Sequence, residues 1–304
     1  MKTFKFEPLA AGLLLAFFFT CQSCVQSDEI DASEIQQEEI VDPVYDVGND
    51  GSVTLRTDCD GDDIHWEYEG ADGPDEWADL CDGWACGGYS QSPVNIIAPP
   101  TSSSSKLLTF QWKPSGTRIV NNGHTIQFNY DGGSTLKMQG GTYQLLQFHF
   151  HAASEHTVGG KHARAEVHFV HQNMATGKLA VVGVFIDTVG VKDASPFFDK
   201  FLEHLPHHGG QSYNDAGNLF HAQMLMPDSY NAWGKQRFWY YQGSLTTPPC
   251  SEIVSWIVMK DRVKVSSAQM HELEELLHEN YRPAQPLFSR VLQSHGPILP
   301  LVNW

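Results

Sequence analysis

Three histidines on two short alternating runs have the residue types and the spacing of a metal site. His149 and His151 stand two apart in the first run, and His168 follows seventeen residues after His151. Residues two apart on a strand share a face, so His149 and His151 point the same way. If the two strands pair, the three imidazoles converge. Three protein nitrogens without a fourth protein ligand are typical of a zinc site with an open position.

Two further polar residues lie on the faces of these histidines. Gln147 stands two residues before His149, and Glu166 stands two residues before His168. A zinc-bound imidazole usually donates its other ring N–H to an amide or carboxylate oxygen, which fixes its tautomer. We therefore predict that Gln147 and Glu166 orient the histidines.

The same residues leave other interpretations open. The chain contains 15 His, so a cluster of histidines without metal is one of them. His149, His151 and Glu155 also match the first metal motif of cupins, which bind iron, manganese or nickel. A cupin carries a later glycine-rich motif with a further His, and the residues after Gly160 do not supply it cleanly.

Strands must position these residues, and the sequence contains several short alternating runs. Such runs indicate a sheet-dominated fold with a large core in one domain. The predicted strands are Thr117–Val120, Thr125–Tyr130, Gln144–His151, Ala165–His171, Leu179–Ile186 and Ile253–Lys260. Amphipathic spacing predicts helices over Pro196–Leu205 and Ser267–Asn280.

A series of motifs in order from about Trp66 to Trp304 resembles the α-class carbonic anhydrases. Each motif alone is weak, and together they are specific. The motifs are His65–Tyr68, Gln91–Ile96, Asn122–His124, Gln147–His151, Ser154–Val158, Ala165–His171, Gly243–Cys250, Trp256 and Arg282–Leu287. The resemblance implies a mainly β (α+β) fold, with one central twisted, mostly antiparallel sheet and peripheral helices.

The resemblance also implies a reaction and its residues. His149, His151 and His168 would hold Zn²⁺, and zinc-bound hydroxide would attack CO₂ to give bicarbonate and a proton. The Thr246 hydroxyl would accept a hydrogen bond from the hydroxide and donate its own proton to Glu155. Small-molecule CO₂ and bicarbonate are the implied substrate and product.

Further positions match by resemblance. His124 matches the family's proton shuttle, and an imidazole with an ordinary pKa near 6.5 suits that role. The backbone carbonyl of Asn280 would orient the second zinc histidine; since any residue has a carbonyl, the match says nothing about the side chain. The residues expected around CO₂ and bicarbonate are Val170, Val181, Leu245, Thr247 and Trp256.

Cysteines and an N-terminal signal indicate export. Cys86 and Cys250 match a disulfide of exported family members. An even number of cysteines after the signal would leave Cys59 and Cys81 as a second pair, which suggests a second disulfide. Residues 1–23 resemble a signal peptide of the lipoprotein type, with Cys24 or Cys21 as the lipid site. We favour Cys24, because four cysteines then remain. This predicts a periplasmic or surface location with a possible membrane anchor; a cleaved signal without lipid is the alternative.

Negative charge is concentrated in the N-terminal quarter of the chain. Residues 25–75 contain seventeen acidic residues and one basic residue, which accounts for −16 of the net charge of −17. We predict that residues 24–61 are an acidic disordered spacer before a catalytic domain over residues 62–304. The remaining chain is nearly neutral, which indicates no nucleic-acid surface. The sequence does not predict an oligomeric state.

A second class of function is a non-catalytic zinc-binding or adhesion module on the same fold. Members of the family with that role usually lack one or more ligand histidines, whereas this chain keeps all three. Binding to a surface partner that survives His149→Ala would indicate such a role.

Overall fold

The computed structural model describes residues 45–55, 59, 64–97, 108–188, 194–230 and 236–296. The predicted signal segment, the candidate lipid sites Cys21 and Cys24, and the first part of the predicted spacer lie outside the described residues. Within these ranges there is no helix of the length and apolar character needed to span a bilayer.

Strands dominate the described chain. They are β1 (Tyr45–Val47), β2 (Val53–Leu55), β3 (Asn95–Ile96), β4 (Thr109–Gln111), β5 (Ser115–Asn121), β6 (Ile126–Asn129), β7 (Thr135–Met138), β8 (Gly141–His151), β9 (Thr157–Val158), β10 (Ala165–Gln172), β11 (Leu179–Thr188), β12 (Ser212–Phe220), β13 (Phe238–Gly243), β14 (Val254–Met259), β15 (Val263–Val265) and β16 (Gln293–His295). The helices are α1 (Trp77–Leu80), α2 (Pro196–Leu202) and α3 (Ser267–Leu277), with 3₁₀ turns at Gly70–Asp72 and Ala222–Leu225.

Twelve of the described strands form one sheet. Its order is β12-β5-β6-β8-β10-β11-β14-β13-β16, with β15 beside β11 and with β4 joined to β8 through β7. The pairings of β11 with β14 and β15 are parallel. The other pairings among these described strands are antiparallel. The predicted fold, mainly β with a mostly antiparallel sheet and few helices, is confirmed.

The two faces of β8 and β10 differ in chemistry, and this difference fixes their register. Phe148, Phe150 and Phe169 are fully buried in one apolar cluster that also contains residues of α2. Each buried Phe contributes about 1.5–3 kcal/mol. A slip by one residue would turn the phenylalanines to the histidine face and the histidines into the core. The aromatic face therefore holds the histidines in place.

Both predicted helices are present but end early. Helix α3 begins with a capping box, in which the Ser266 side chain and Gln269 bond to each other's backbone N–H groups. It ends at Leu277 because His278 adopts a left-handed φ of 53°. Helix α2 ends at Leu202 rather than at Leu205. The early end of α3 lets the chain turn toward the histidines at Asn280.

The prediction of a disordered spacer over residues 24–61 does not hold for residues 45–55. These residues form an antiparallel hairpin, with Tyr45 opposite Leu55 and Val47 opposite Val53. Tyr45 and Val53 are each only 6% exposed, within an apolar cluster of the main domain. Burial of these two side chains stabilises a segment whose other residues are exposed or only partly buried.

Two disulfides close the region before the sheet. Cys86 is bonded to Cys250, as predicted, and Cys59 is bonded to Cys81. The four cysteines share a cluster with buried tryptophans, among them Trp66 and Trp77. Covalent bonds and aromatic packing thus attach this region to the loop after β13.

Candidate metal centre

The strand register brings the three predicted ligands together. His168 of β10 lies directly opposite His149 of β8, and Glu166 lies opposite His151. One ligating nitrogen from each histidine can be chosen so that all three lie within 4.8 Å of one another. The convergence expected from two alternating runs is therefore present.

One nitrogen of each of the three histidine rings is hydrogen-bonded to a fixed acceptor. The His149 Nδ1–H donates to Gln147 Oε1 at 2.8 Å, and the His168 Nε2–H donates to Glu166 Oε1 at 3.0 Å. The His151 Nδ1–H donates to the Asn280 carbonyl at 2.7 Å. These acceptors set the tautomers, because each of them needs an N–H. The lone pairs remain on His149 Nε2, His151 Nε2 and His168 Nδ1.

Two buried polar atoms at this point lack partners. His151 Nε2 and Glu155 Oε2 are buried and make no hydrogen bond within the described part of the chain. Leaving such atoms unsatisfied costs about 1–3 kcal/mol each. Three neutral imidazole nitrogens directed at one point match the ligand set of a catalytic zinc. The residues present fit Zn²⁺.

Burial keeps the histidines neutral, which is the form that binds a metal. Burial lowers the pKa of His149 well below its ordinary value, and the neighbouring His151 and His168 lower it further. Burial likewise lowers the pKa of His151, against the opposing effect of Glu155. For Glu166, burial opposes ionisation, but His156 and His168 outweigh it and hold the carboxyl pKa below its usual range.

A second group of candidate ligands overlaps the first. His156, Glu166 and His168 also bring ligand atoms within 4.8 Å. Both His156 nitrogens are occupied, however, with Nδ1 at 2.8 Å from Glu166 Oε1 and Nε2 at 2.7 Å from the Tyr241 hydroxyl. This group is a buried hydrogen-bond network that supports Glu166.

Glu155 lies between the ligand nitrogens and a buried arginine. Its Oε1 accepts the Arg282 backbone N–H at 3.0 Å. Its Oε2 lies 3.5 Å from His151 Nε2 and 3.7 Å from His168 Nδ1. Because Oε2 makes no hydrogen bond, the predicted donation from the Thr246 hydroxyl is not formed to that oxygen.

Arg282 joins Glu155 to the disulfide, because its backbone N–H binds the carboxylate and the disulfide region is bound by its guanidinium. It donates to the Cys86 carbonyl and the Ser92 carbonyl, both at 3.0 Å, and to Gln91 Oε1 at 2.7 Å. The Gln91 amide donates in turn to the Cys250 carbonyl at 3.2 Å. One fully buried arginine thus binds Glu155 through its backbone and the disulfide-bonded loop that carries Thr246 through its side chain and Gln91.

His124 stands at the cavity on a tight turn. Asn122 Oδ1 accepts the backbone N–H groups of His124 and Thr125, and Gly123 has a φ of 92°. The His124 ring stacks on Trp66 with centroids 3.7 Å apart. Burial is the main reason that the His124 pKa is lowered, opposed by Glu67 and assisted by His65.

A cavity of about 660 Å³ connects His124 with two of the predicted metal ligands. His149, His151, Gln147, His124 and Thr247 all line it. Of the residues predicted around the substrate, Thr247 lines this cavity, whereas four others are not among its lining residues and are each at most 5% exposed: Val170, Val181, Leu245 and Trp256. All four share one apolar cluster with Tyr45 and Val53 of the hairpin.

Comparisons with known proteins agree with this geometry. Residues 72–296 match the family described as eukaryotic-type carbonic anhydrase. The chain belongs to the α-carbonic anhydrase family. A carbonic anhydrase of Pectobacterium atrosepticum is 38% identical over 236 residues, which are 76% of this chain and 91% of that protein. A carbonic anhydrase of Nostoc sp. is 36% identical over 235 residues, covering 75% of this chain and 85% of that protein.

A solved relative shows the same fold. The α-carbonic anhydrase of Thermovibrio ammonificans, in complex with the inhibitor sulfanilamide, is 34% identical with a TM-score of 0.69. The match covers 77% of this chain and all of that one. Fold and relatives make this chain a carbonic anhydrase, an enzyme of CO₂ hydration, and exclude the cupin interpretation.

The carbonic anhydrase uses one side chain in a way that the sequence did not predict. The sequence assigned a role to the Asn280 carbonyl and none to its side chain. Its side-chain Oδ1 accepts the Ala152 N–H at 2.9 Å, and its Nδ2 donates at 3.0 Å to the carbonyls of His124 and Phe150. Asn280 therefore joins the turn of His124 to the strand of His151, and its side-chain identity matters.

Other site residues were missed in part or entirely. Trp66 and Arg282 belong to the motifs of the resemblance, but the sequence assigned neither of them a role. Gln127 of β6 pairs opposite His149, on the metal-facing side of the sheet. The alternation of Gln127 and Asn129 with apolar neighbours was the signal for that face. Tyr45 gave no signal, because it lies in the acidic segment that composition assigns to disorder.

Proposed function

We propose that this carbonic anhydrase is zinc-dependent, with His149, His151 and His168 as the metal ligands. The main support is that one nitrogen of each ring is hydrogen-bonded to a fixed acceptor, which leaves the other nitrogen free to bind a metal. A zinc ion bound with an open position lowers the pKa of a bound water to about 7 and so supplies a nucleophile at neutral pH.

Gln147 and Glu166 hold the rings in this proposal, and Glu155 with Thr246 sets the direction of attack. Glu155 Oε2 is buried and unpartnered, which suits it to accept the proton of the Thr246 hydroxyl. The hydroxyl oxygen is then left to accept a hydrogen bond from the nucleophile. Fixing one lone pair toward the substrate is an orientation effect.

We assign CO₂ to the apolar side of the cavity and bicarbonate to the Thr247 side. CO₂ is small and carries no net charge, so an apolar wall is the matching surface. Val170, Val181, Leu245 and Trp256 would supply that wall from the apolar cluster that they share with the cavity-lining residues Tyr45 and Val53. Thr247 lines the cavity together with His149 and His151. Expulsion of the charged product from an apolar wall favours its release toward the polar side.

His124 carries the product proton to the solvent in this proposal. Its place on the cavity lining and its partial exposure allow one nitrogen to face the interior and the ring to reach buffer. Neutral imidazole is the acceptor form. The burial that lowers its pKa therefore keeps it ready to accept a proton at neutral pH.

We further propose that residues 62–304 form the catalytic domain of an exported enzyme. Two disulfides support an oxidising compartment such as the periplasm or the cell surface. Lipid anchoring at Cys24 remains a prediction from the signal segment.

The test is stopped-flow CO₂ hydration together with zinc content, on the disulfide-bonded full chain. We expect fast hydration and one zinc per chain in the wild type, and loss of both in His149→Ala. His271→Ala is the matched control, because that ring is largely exposed on α3. A zinc-loaded wild type without hydration would refute the proposal and revive a binding role. Hydration retained by metal-free protein would refute the assignment of the metal.

A further inference from the structure

The β1–β2 hairpin reaches the metal cavity although it precedes the region matched by the family. The family match begins at residue 72, whereas the hairpin spans residues 45–55. Tyr45, Ser52, Val53, Thr54 and Leu55 line the same cavity as His149 and His151. Nothing in the family motifs assigns a role to this segment.

Tyr45 contacts the residue that orients a metal ligand. Its side chain is hydrogen-bonded to Gln147. Because Gln147 Oε1 accepts the His149 N–H, its amide N–H is the group that donates to the Tyr45 hydroxyl. The phenol ring is 6% exposed, and burial raises the pKa of Tyr45 above its ordinary value. The hydroxyl is therefore neutral and held in one position.

The second strand of the hairpin is attached to the metal-facing side of the sheet. The Val53 carbonyl accepts the Gln127 amide N–H at 2.9 Å. Gln127 pairs opposite His149 in the sheet, so this bond lies next to the ligand strand. The Gln127 amide is also 2.6 Å from Asn129 Oδ1, which fixes its direction.

The turn of the hairpin is closed by its own hydrogen bonds. The Gly48 N–H donates to the Ser52 carbonyl at 2.9 Å, and Asp50 Oδ1 accepts the Ser52 N–H at 3.0 Å. Gly51 has a φ of 82°, and a β-carbon there would stand 3.0 Å from Arg118 Cζ. The hairpin is thus in contact with β5, β6 and β8.

The hairpin covers the apolar side of the cavity. Tyr45 and Val53 belong to the apolar cluster that contains Val181, Leu245 and Trp256. A metal-bound ligand that carries a ring must place that ring in the cavity, and the Tyr45 side chain lines the same cavity as His149 and His151. A linear triatomic molecule needs no such space.

We propose that the β1–β2 hairpin is a wall of the active-site cavity that determines the size of ligand able to reach the metal, with Tyr45 as the deciding residue. This inference rests on the proposed zinc site. CO₂ and the isoelectronic anion cyanate pass, and a ligand with an aromatic ring next to its metal-binding group is disfavoured.

The test measures binding of sulfanilamide and of cyanate by calorimetry on the zinc-loaded, full-length protein, with CO₂ hydration measured alongside. Tyr45→Ala removes the ring, and we expect sulfanilamide to bind at least about tenfold more tightly, which corresponds to about 1.4 kcal/mol. Cyanate binding changes by less than about twofold on the same scale. Tyr45→Phe keeps the ring, so it keeps the wild-type ratio of the two affinities.

Two further variants control for indirect effects. Val47→Ala alters a side chain of the same strand that is 46% exposed, and it leaves the ratio unchanged. Gly51→Val strains the turn at positive φ and shifts the ratio in the direction of Tyr45→Ala by a smaller factor.

The outcomes separate the two proposals. An unchanged ratio in Tyr45→Ala, with CO₂ hydration intact, overturns the hairpin's role and leaves the zinc proposal standing. Parallel changes for both probes also overturn it, because they indicate an effect through Gln147 on the metal. A ratio that shifts equally in Tyr45→Phe assigns the effect to the hydroxyl and refutes a size filter. A wild type that neither hydrates CO₂ nor binds either probe refutes both proposals.

Discussion

The floor of the cavity and its rim are built in different ways. The floor consists of β8 and β10, whose metal-facing histidines are held from behind by buried phenylalanines and from the side by fixed acceptors. The rim is formed by the β1–β2 hairpin and by the turn at His124. It depends on a few side-chain hydrogen bonds and on one aromatic stack at Trp66.

This difference separates two tasks. The floor needs positions defined to fractions of an ångström, because metal geometry tolerates little change. The central strands of a sheet provide that precision through register and packing. The rim selects what enters and passes protons outward, and segments with few fixed contacts are sufficient for it. Changes in the floor should therefore abolish chemistry, and changes in the rim should alter access and proton transfer.

The largest effect is expected at Glu155. Glu155→Gln removes the charge and places an N–H where Oε2 now faces His151 and His168. We expect kcat/KM for CO₂ hydration to fall about 100-fold through lost orientation, with zinc content retained. Glu275→Gln, on the exposed side of α3, is the control. Loss of zinc in parallel with activity would make Glu155 part of the metal support rather than of the orienting pair.

Gln147 contacts both His149 in the floor and Tyr45 in the rim. Its loss should weaken metal binding by the floor. Gln147→Leu leaves the His149 Nδ1–H without an acceptor. We expect zinc affinity, measured by competition with a chelator, to weaken about 10- to 100-fold. Gln144→Leu makes the same change three residues earlier on β8. Equal zinc affinity in the two variants would contradict the orienting role of Gln147.

His124 tests the rim. In His124→Ala we expect kcat to fall by at least about tenfold in dilute buffer, with kcat/KM nearly unchanged and with rescue by added imidazole. Since neutral imidazole accepts the proton, wild-type kcat rises as pH passes upward through the His124 pKa. Burial lowers that pKa, so the rise should lie below pH 6.5. His65→Ala alters the other histidine on the cavity lining that is not a proposed metal ligand. An equal loss there would remove the assignment to His124.

The last prediction concerns stability behind the floor and leaves catalysis aside. His171 is fully buried, its Nδ1–H donates to the Phe169 carbonyl at 2.9 Å, and burial lowers its pKa to about 4. A histidine with a depressed pKa contributes stability that is present above pH 6.5 and is lost as pH falls toward 4. The loss is on the order of 3 kcal/mol.

We therefore expect the free energy of unfolding of the metal-free protein to fall between pH 7 and pH 4. In His171→Asn the decline should be shallower, because asparagine does not titrate. The exposed substitution His271→Asn should leave the slope as in the wild type. Identical slopes for His171→Asn and the wild type would show that other groups govern acid stability.

The sequence predicted the floor well because its signals are periodic. Alternation in β8 and β10 indicated which histidines share a face, and it also indicated the places of Gln147 and Glu166. The strand β12 was missed, since its residues are mostly polar and exposed at the sheet edge, where pairing needs no apolar alternation. Alternation in sequence indicates that one face of a strand is buried. An edge strand that is exposed on both faces therefore shows little alternation.

The rim was not predictable by the same reasoning. Composition assigned residues 45–55 to a disordered spacer, because the stretch around them is rich in acidic residues and poor in aromatic ones, with no clear period. Whether such a segment packs depends on partners far away in the chain, here Gln127 and Gln147. The Asn280 side chain was overlooked for a similar reason, since its bonds reach His124 and Phe150 across the fold.

The stack of Trp66 on His124 has a practical consequence for making a shortened enzyme. The family match begins at residue 72, so a gene trimmed to that boundary would omit Trp66 and also Cys59. The proton-carrying ring would lose the surface that holds it, and Cys81 would become an unpaired thiol able to cross-link two molecules. A preparation trimmed in this way would be slower and more prone to aggregate, although every zinc ligand was present.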